Sequence, residues 1–343
     1  MNIRFQFNVS VFKKTDGKAT ESFSAGNGSF VTCVKKEIAN ARDRGSFSTA
    51  ANYDTAIRSL LTFLERDDIK VKDITSDMLE NYQKWLLRRN VSLNTISCYM
   101  RSLRSIYNRV TKNKGDVFVK TFTGSTPTFK RSLCINDIQR LSILKLPKRS
   151  RLALTRDLFL FSFYCQGMPF IDLAFLKKAQ IVNGQIIYHR RKTGQIIHIT
   201  IEPCMENIIK RYDYCDPVYV FPILKSTDSL TAYLQYQKQL SYYNISLKRL
   251  GKKAGFTRPL TSYVARHTWA SIAFQSNVEL QTISRAMGHT NPMTTMIYIK
   301  ELDNNYLASA NRKIITACNA TTEEELNDVP SYIALREKCP DVL

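Results

Sequence analysis

Apolar residues recur every three or four positions along most of this chain, which is the spacing of one face of an α-helix. Residues 28–115 contain four such segments. The apolar stripe of the fourth is the clearest and consists of Leu93, Ile96, Tyr99, Met100, Leu103, Ile106, Tyr107 and Val110. Ser48 or Thr49 is expected to cap the second helix, and Thr75 or Ser76 the third. The pattern therefore predicts a four-helix domain.

The segments on either side of this domain have different patterns. Residues 1–27 alternate apolar and polar side chains and then enter a glycine-rich stretch, which predicts a strand or hairpin in a short N-terminal extension. Residues 111–130 are rich in threonine, lysine and glycine and contain Thr126-Pro127, so we expect a linker between domains at 116–131.

A second domain is predicted over residues 132–318. Asn136 and Asp137 are placed to cap a short helix, and residues 151–165 are apolar enough to form a buried one. Two β-rich runs flank the turn Lys192-Thr193-Gly194 and predict a hairpin. The remaining predicted elements are helices near residues 203–215, 226–254, 264–276, 279–287 and 292–300. The fold class is therefore mainly α with a small β-sheet, followed by an acidic tail at 319–343.

The excess of positive charge indicates which class of molecule the protein binds. The chain has 343 residues, with 50 Lys and Arg against 29 Asp and Glu, a formal net charge of +21. A field of that sign favours a polyanion, above all nucleic acid. No apolar run reaches the roughly 18 residues of a membrane span, and the first residues lack the apolar region of a secretory signal. Eight scattered cysteines without a C-x-x-C pair predict reduced thiols in the cytoplasm and no metal site.

One constellation near the C-terminus combines an arginine, a histidine and a tyrosine. Arg266 lies in one predicted helix, Gly288-His289 forms the turn after the next, and Tyr298 follows nine residues after that histidine. Asn291 can cap the last helix, and Pro292 suits its first position. This order and spacing resemble the active site of the tyrosine recombinases, also called phage integrases, which cut and rejoin DNA.

The resemblance implies a role for each matching residue. Tyr298 would be the nucleophile that forms a 3′-phosphotyrosine, and Arg266 would hold a non-bridging phosphate oxygen bidentately. His289 would donate a hydrogen bond to the phosphate. Lys192, in the hairpin turn, would protonate the departing 5′ oxygen. Such chemistry conserves the bond energy and requires no cofactor.

Two positions depart from the family pattern. Tyr263 occupies the place of a catalytic histidine or lysine three residues before Arg266. Its phenol can still donate a hydrogen bond or relay a proton, although it is a poorer base than imidazole near neutral pH. Pro169 occupies the slot of the first catalytic arginine in Gly167-Met168-Pro169, while Asp172 fits the acidic position that follows. Losing one phosphate ligand could cost about 3–4 kcal/mol of transition-state stabilisation. The cations that could compensate, between which the sequence does not decide, are Arg190, Arg191 and Arg285.

The resemblance also implies an architecture and partners. The four helices would form a SAM-like core-binding domain ahead of an α+β catalytic domain, the two enclosing duplex DNA. Residues expected to contact the DNA backbone are Arg101, Arg104, Lys130 and Arg131. Synapsis of two DNA sites would use a homotetramer, with DNA-bending accessory proteins as further partners and no membrane, in the cytoplasm of a prokaryote near its nucleoid.

The function expected from these features is site-specific DNA recombination by an integrase or an invertase of a mobile element. Two other functions remain open at this stage. A recombinase-derived protein that binds DNA without cutting it would explain Pro169. A type IB topoisomerase shares the tyrosine chemistry but relaxes DNA without synapsis.

Overall fold

The chain divides into two compact units, with the division between residues 128 and 129. The computed structural model describes residues 28–111, 116–127, 132–299, 311–312 and 314–316. The predicted N-terminal strand and the acidic tail lie outside the described residues.

The first unit contains the four predicted helices, α1 (Phe30–Asp43), α2 (Phe47–Leu64), α3 (Ser76–Arg88) and α4 (Leu93–Thr111). Thr75 caps α3, because its hydroxyl accepts a hydrogen bond from the N–H of Met78 at 3.2 Å. The expected cap of α2 at Ser48 or Thr49 is wrong. That helix begins at Phe47, whose ring is buried in the first unit's core.

The core of this unit is the apolar stripe of each helix. Tyr82 is fully buried and donates its hydroxyl to Ser59 at 2.8 Å, so its polar end is satisfied inside the core. Other core residues are Phe30, Val34, Ile57, Leu60, Leu79, Leu86, Ile96, Met100, Leu103 and Ile106.

Residues 121–126, expected to belong to a linker, are fixed to the first unit by hydrogen bonds. Asn94 of α4 both donates to and accepts from the backbone of Thr126, at 3.1 and 2.9 Å. Ser97 donates to the carbonyl of Gly124 at 2.6 Å. The structure therefore places this part of the predicted linker along α4.

Between residues 132 and 299 the second unit holds eight α-helices and a small sheet. The helices are α5 (Ile135–Ile143), α6 (Arg151–Tyr164), α7 (Phe170–Ala174), α8 (Pro203–Tyr212), α9 (Ser229–Lys253), α10 (Val264–Gln275), α11 (Leu280–Ala286) and α12 (Met293–Ile299). α5 begins one residue before the expected cap. Asp137 lies in its first turn, where the carboxylate accepts from the N–H of Cys134 at 3.2 Å.

α6 runs through the middle of this unit, as its apolar sequence predicted. It packs against α8, α9 and α10, and all residues from Asp157 to Ser162 are buried. The Asp157 carboxylate accepts from Arg156, Arg211 and Tyr212 at 2.9–3.0 Å. These bonds satisfy a charge that would otherwise destabilise the core.

The sheet is antiparallel, in the order β1 (Ile181–Val182), β2 (Gln185–His189) and β3 (Ile196–Thr200). β2 and β3 form the predicted hairpin, with Gln185 opposite Thr200 and His189 opposite Ile196. Side chains alternate between core and solvent, and those facing the core are Ile186, Tyr188, Ile197 and Ile199. The loop from residue 190 to 195 is closed by hydrogen bonds of its own backbone. The mainly helical fold with one small sheet is therefore confirmed.

Candidate active site

The site is built around the C-terminus of α11. There the N–H of Gly288 bonds to the carbonyl of Arg285, and the N–H of His289 to that of Ser284, both at 2.9 Å. This pair of bonds is a Schellman motif, which requires a left-handed residue at its centre. Gly288 supplies it with a φ of +63°. The Gly-His pair in the sequence is thus the end of a helix, and the carbonyls of Met287 and Gly288 are left to accept bonds from other elements.

Arg266 of α10 uses the first of these carbonyls. Its guanidinium donates from Nη2 to the Met287 carbonyl at 2.6 Å and from Nη1 to the Gly167 carbonyl at 2.8 Å. The residue is only 2% exposed. A Cβ on Gly167 would come within 2.8 Å of the Arg266 Cα, so glycine lets α10 approach this loop. The arginine is therefore held in one orientation before any ligand arrives.

His289 lies against the same guanidinium. Nη2 of Arg266 is 3.0 Å from Nε2 of the imidazole, and Nδ1 is 2.8 Å from the Thr295 hydroxyl. Burial, followed by the charges of Arg266, Arg190 and Lys192, lowers the pKa of His289 to about 4. The imidazole is therefore neutral near pH 7.

Arg190 reaches the site from the hairpin. It is 4% exposed, and its Nη1 donates to the Gly288 carbonyl, next to the carbonyl that Arg266 uses. Burial, followed by the neighbouring charge of Arg266, lowers the pKa of Arg190. The structure thus brings two buried arginines together on consecutive carbonyls.

The other two candidates for the missing arginine lie elsewhere. The guanidinium of Arg191 stacks on the ring of Phe175, 3.9 Å from its centroid. Arg285 is exposed on the last turn of α11. Of the three cations left open by the sequence, Arg190 is the one in the buried cluster with Arg266.

Asp172 lies next to the cluster, in the helix that follows Pro169. Pro169 directly precedes α7, and Asp172 in that helix is buried. Its carboxylate accepts from the backbone N–H of Arg191 at 3.0 Å, which ties the hairpin loop to α7. Burial raises the pKa of Asp172, against the opposing effects of this hydrogen bond and of the nearby arginines.

Two further predicted site residues lie at the edge of this cluster. Lys192 is exposed in the hairpin loop, close enough for its charge to act on His289. Tyr263 directly precedes α10 and is 45% exposed, with its ring 5.7 Å from that of His267. Both side chains are therefore accessible to a substrate from solvent.

The predicted nucleophile Tyr298 lies in α12. Asn291 accepts from the N–H of Met293 at 2.9 Å at the start of this helix. Thr295, three residues before the tyrosine, is fully buried against His289. The helix that carries Tyr298 is thus attached to the cluster through Thr295.

The predicted DNA contacts belong to the other unit or to undescribed residues. Arg101 is exposed on α4, and Arg104 is half-buried with its Nη1 3.5 Å from the Thr123 hydroxyl. Lys130 and Arg131 lie outside the described residues.

Two hydroxyls of the site were not predicted from the sequence. Thr193 donates to the Gly288 carbonyl at 3.3 Å, and Thr295 contacts His289. The spacing of Thr295, three residues before Tyr298, was the available signal, because residues three apart share a helix face.

In the part of the chain that the structure describes, no helix is long and apolar enough to cross a membrane. No group of three His, Cys, Asp or Glu side chains there is arranged to hold a metal ion.

Two family models match the chain. Residues 29–115 match the phage integrase SAM-like domain, and residues 136–305 match the phage integrase family. Together they span most of the sequence and both structural units.

Similar proteins agree with these matches. A tyrosine recombinase of Pseudothermotoga lettingae is 23% identical over 289 residues, 78% of this chain and 93% of the relative. A lambda integrase dimer bound to a COC′ core site has a TM-score of 0.58 at 13% identity, over 79% of this chain and 95% of the other. A lambda integrase tetramer bound to a Holliday junction has a TM-score of 0.55 at 14% identity, over 80% of this chain and 78% of the other. The two structures establish a shared fold.

The chain belongs to the tyrosine recombinase, or phage integrase, family. Its activity class is that of a site-specific DNA recombinase.

Proposed function

We propose that this recombinase cuts and rejoins DNA through a 3′-phosphotyrosine at Tyr298, using Arg190 in place of the family's first arginine. The observation that carries the proposal is the pair of buried arginines on the carbonyls of Met287 and Gly288. Two desolvated cations side by side repel each other, and an anion between them relieves that repulsion. A phosphodiester is the anion that a DNA substrate provides.

The two arginines would hold the non-bridging oxygens of the scissile phosphate. Arg266 offers a planar fork already fixed by two carbonyls, so little reorganisation accompanies the reaction. Arg190 adds a second guanidinium whose buried Nε has no hydrogen-bond partner among the described residues. Together they supply the charge that Pro169 cannot.

The proposed chemical steps are those of cleavage by a tyrosine nucleophile. The Tyr298 oxygen attacks the phosphorus, the bond to the 5′ oxygen breaks, and the phenolic proton passes to solvent. Lys192, exposed in the hairpin loop, protonates the departing 5′ oxygen. In the reverse direction, a 5′-hydroxyl of the partner strand attacks the phosphotyrosine and releases the tyrosine. Tyr263, beside α10, would act as a hydrogen-bond donor at the edge of the phosphate site.

The substrate is duplex DNA, bound by both units. The net charge of +21 favours it, and Arg101 on α4 would contact the backbone, with Arg104, Lys130 and Arg131 as further contacts. Strand exchange would take place in a homotetramer on two synapsed sites, assisted by DNA-bending proteins. The lambda integrase structures on DNA, a dimer and a tetramer, support this assembly. Integration or inversion of a mobile element would be the outcome.

Trapping the covalent intermediate tests the proposal. Half-site DNA from the region flanking the gene is nicked so that the short fragment bearing the released 5′-hydroxyl diffuses away, and it is incubated with wild type and Tyr298→Phe. We expect a covalent protein–DNA band on a denaturing gel for wild type alone. Binding by both proteins without a band would favour a DNA-binding protein that does not cut. Relaxation of a plasmid without a recombination site would favour a topoisomerase.

A further inference from the structure

Thr295 connects the helix of the proposed nucleophile to His289, and it has no role in the chemical steps of cleavage. It lies on α12 with the proposed nucleophile, is fully buried, and its hydroxyl contacts Nδ1 of His289. His289 in turn contacts Arg266 through Nε2. A single chain of hydrogen bonds thus runs from the tyrosine helix to the phosphate-binding arginine.

The chemistry of the two partners fixes the direction of these bonds. Arginine has donors and no acceptor, so Nε2 of His289 accepts from Arg266. A neutral imidazole carries one proton, which therefore resides on Nδ1 and is donated to the Thr295 hydroxyl. In this state His289 has no proton to offer a phosphate from Nε2.

We propose that Thr295 is a positioning residue that lets the ring proton of His289 move from Nδ1 to Nε2. The exchange takes place when a phosphate oxygen replaces Nε2 of His289 as the acceptor of the Arg266 hydrogen bond. The inference rests on the proposed function, because it concerns how the same site receives the scissile phosphate. In the exchange, Nδ1 gives its proton to water and Nε2 receives one from water, so the net charge of the imidazole is unchanged. The Thr295 hydroxyl rotates from accepting to donating, and Nε2–H donates to the phosphate.

A hydroxyl suits this position because it both donates and accepts. A carbonyl or carboxylate would hold the proton on Nδ1, and an aliphatic side chain would leave a buried ring nitrogen unsatisfied. Three neighbouring charges face His289, those of Arg266 on α10 and of Arg190 and Lys192 in the hairpin region. These charges disfavour the doubly protonated imidazolium. A neutral ring whose proton has moved from Nδ1 is therefore the more favourable form in which Nε2 carries a hydrogen.

The hydrogen bond between Thr295 and His289 also depends on the position of α12. Thr295 meets the imidazole only while this helix packs against α10 and α11. The phosphate would therefore gain its His289 contact only when the helix that carries Tyr298 is in place.

Three variants test the role of the hydroxyl. Thr295→Val removes it at nearly constant volume, Thr295→Ser keeps it, and Thr294→Val makes the matched change at the exposed neighbour. We expect single-turnover cleavage at saturating nicked DNA to fall about 10- to 100-fold in Thr295→Val and to stay within about threefold of wild type in the other two. Equal rates in Thr295→Val and Thr294→Val would overturn the proposal.

The tautomer of His289 provides a second measurement that does not depend on cleavage. The chain has four histidines, so ¹⁵N-histidine labelling with assignment by His289→Gln isolates the signal. We expect the Nδ1–H form in the free protein and the Nε2–H form in Tyr298→Phe bound to nicked DNA. An Nε2–H form in the free protein would refute the inference even if Thr295→Val failed to fold. Absence of a covalent band in wild type would instead refute the proposed function and leave the free-state tautomer to be measured.

Discussion

The arginines of the two units differ in their surroundings more than in their charge. Arg101 is exposed on α4, where its Nε donates to the Ser97 carbonyl at 3.3 Å. Arg266 and Arg190 are only 2% and 4% exposed, and they donate to the carbonyls of Met287 and Gly288. An exposed guanidinium attracts DNA through a field that salt screens. A desolvated and oriented one stabilises charge that develops in the transition state. Exposed arginines such as Arg101 should therefore contribute mainly to the affinity for DNA, and the buried pair to the rate of the chemical step.

The largest expected effect comes from altering the close packing that holds the buried pair. A Cβ on Gly288 would lie 2.9 Å from the Cδ of Arg190 and 2.9 Å from the Cδ1 of Ile197, at a φ of +63°. Gly288→Ala is expected to lower the free energy of unfolding by about 2–4 kcal/mol, the sum of backbone strain and overpacking, and to abolish cleavage.

Gly184→Ala is the matched control, because its φ is +72° and nothing lies within 4 Å of the added Cβ. Its free energy of unfolding should fall only by the backbone strain, about 1 kcal/mol, and cleavage should be retained. Urea unfolding and single-turnover cleavage measure both variants. Equal losses of stability at the two glycines would show that the Arg190 side chain does not pack closely against Gly288.

A second effect is the dependence of stability on pH. His289 has a folded pKa of about 4, against an ordinary value of 6.5. Below pH 6.5 the unfolded chain binds a proton that the folded protein does not take up until pH 4, so stability falls across that interval. The loss is expected to be about 1–2 kcal/mol after allowance for solvent screening.

Thermal unfolding of wild type and His289→Gln from pH 7 to pH 4.5 measures this dependence. The variant should lose less stability than wild type as the pH is lowered, whereas His198→Gln, at an exposed position of β3, should behave as wild type does. Parallel pH profiles for wild type and His289→Gln would contradict the assigned environment.

The smallest effects are expected at the exposed arginines. Arg101→Ala should weaken DNA binding a fewfold and lower the slope of log affinity against log salt by about one. Cleavage at saturating DNA should not change. Arg58→Ala removes one exposed positive charge from α2 and serves as the control. A lower cleavage rate of Arg101→Ala at saturating DNA would show that this exposed arginine also affects the chemical step.

Long periodic elements could be predicted from the sequence because many residues report the same face. α4 was predicted from its apolar stripe in this way, whereas α6 was predicted from a strongly apolar run and the hairpin from two β-rich runs around its turn. α7 and β1 were not recognised, since elements of five and two residues contain too few positions to show a period.

The choice among the three compensating cations required tertiary structure. Arg190 and Arg191 are adjacent in sequence, yet one is buried against Gly288 and the other stacks on Phe175. Local propensity cannot separate them, because the difference arises where a loop meets the end of α11, about a hundred residues away in sequence. The roles of the site residues themselves stay predictions until their variants are measured.

Single-turnover cleavage of nicked DNA by Arg190→Ala, Arg191→Ala and Arg285→Ala tests which arginine binds the scissile phosphate beside Arg266. At saturating DNA, we expect a loss of about 100-fold or more in Arg190→Ala, comparable to removing an oxyanion donor, and changes of less than about fivefold in the other two. Cleavage by Arg190→Ala at the wild-type rate, or a larger loss in Arg285→Ala, would contradict the assignment of Arg190 as the second phosphate-binding arginine.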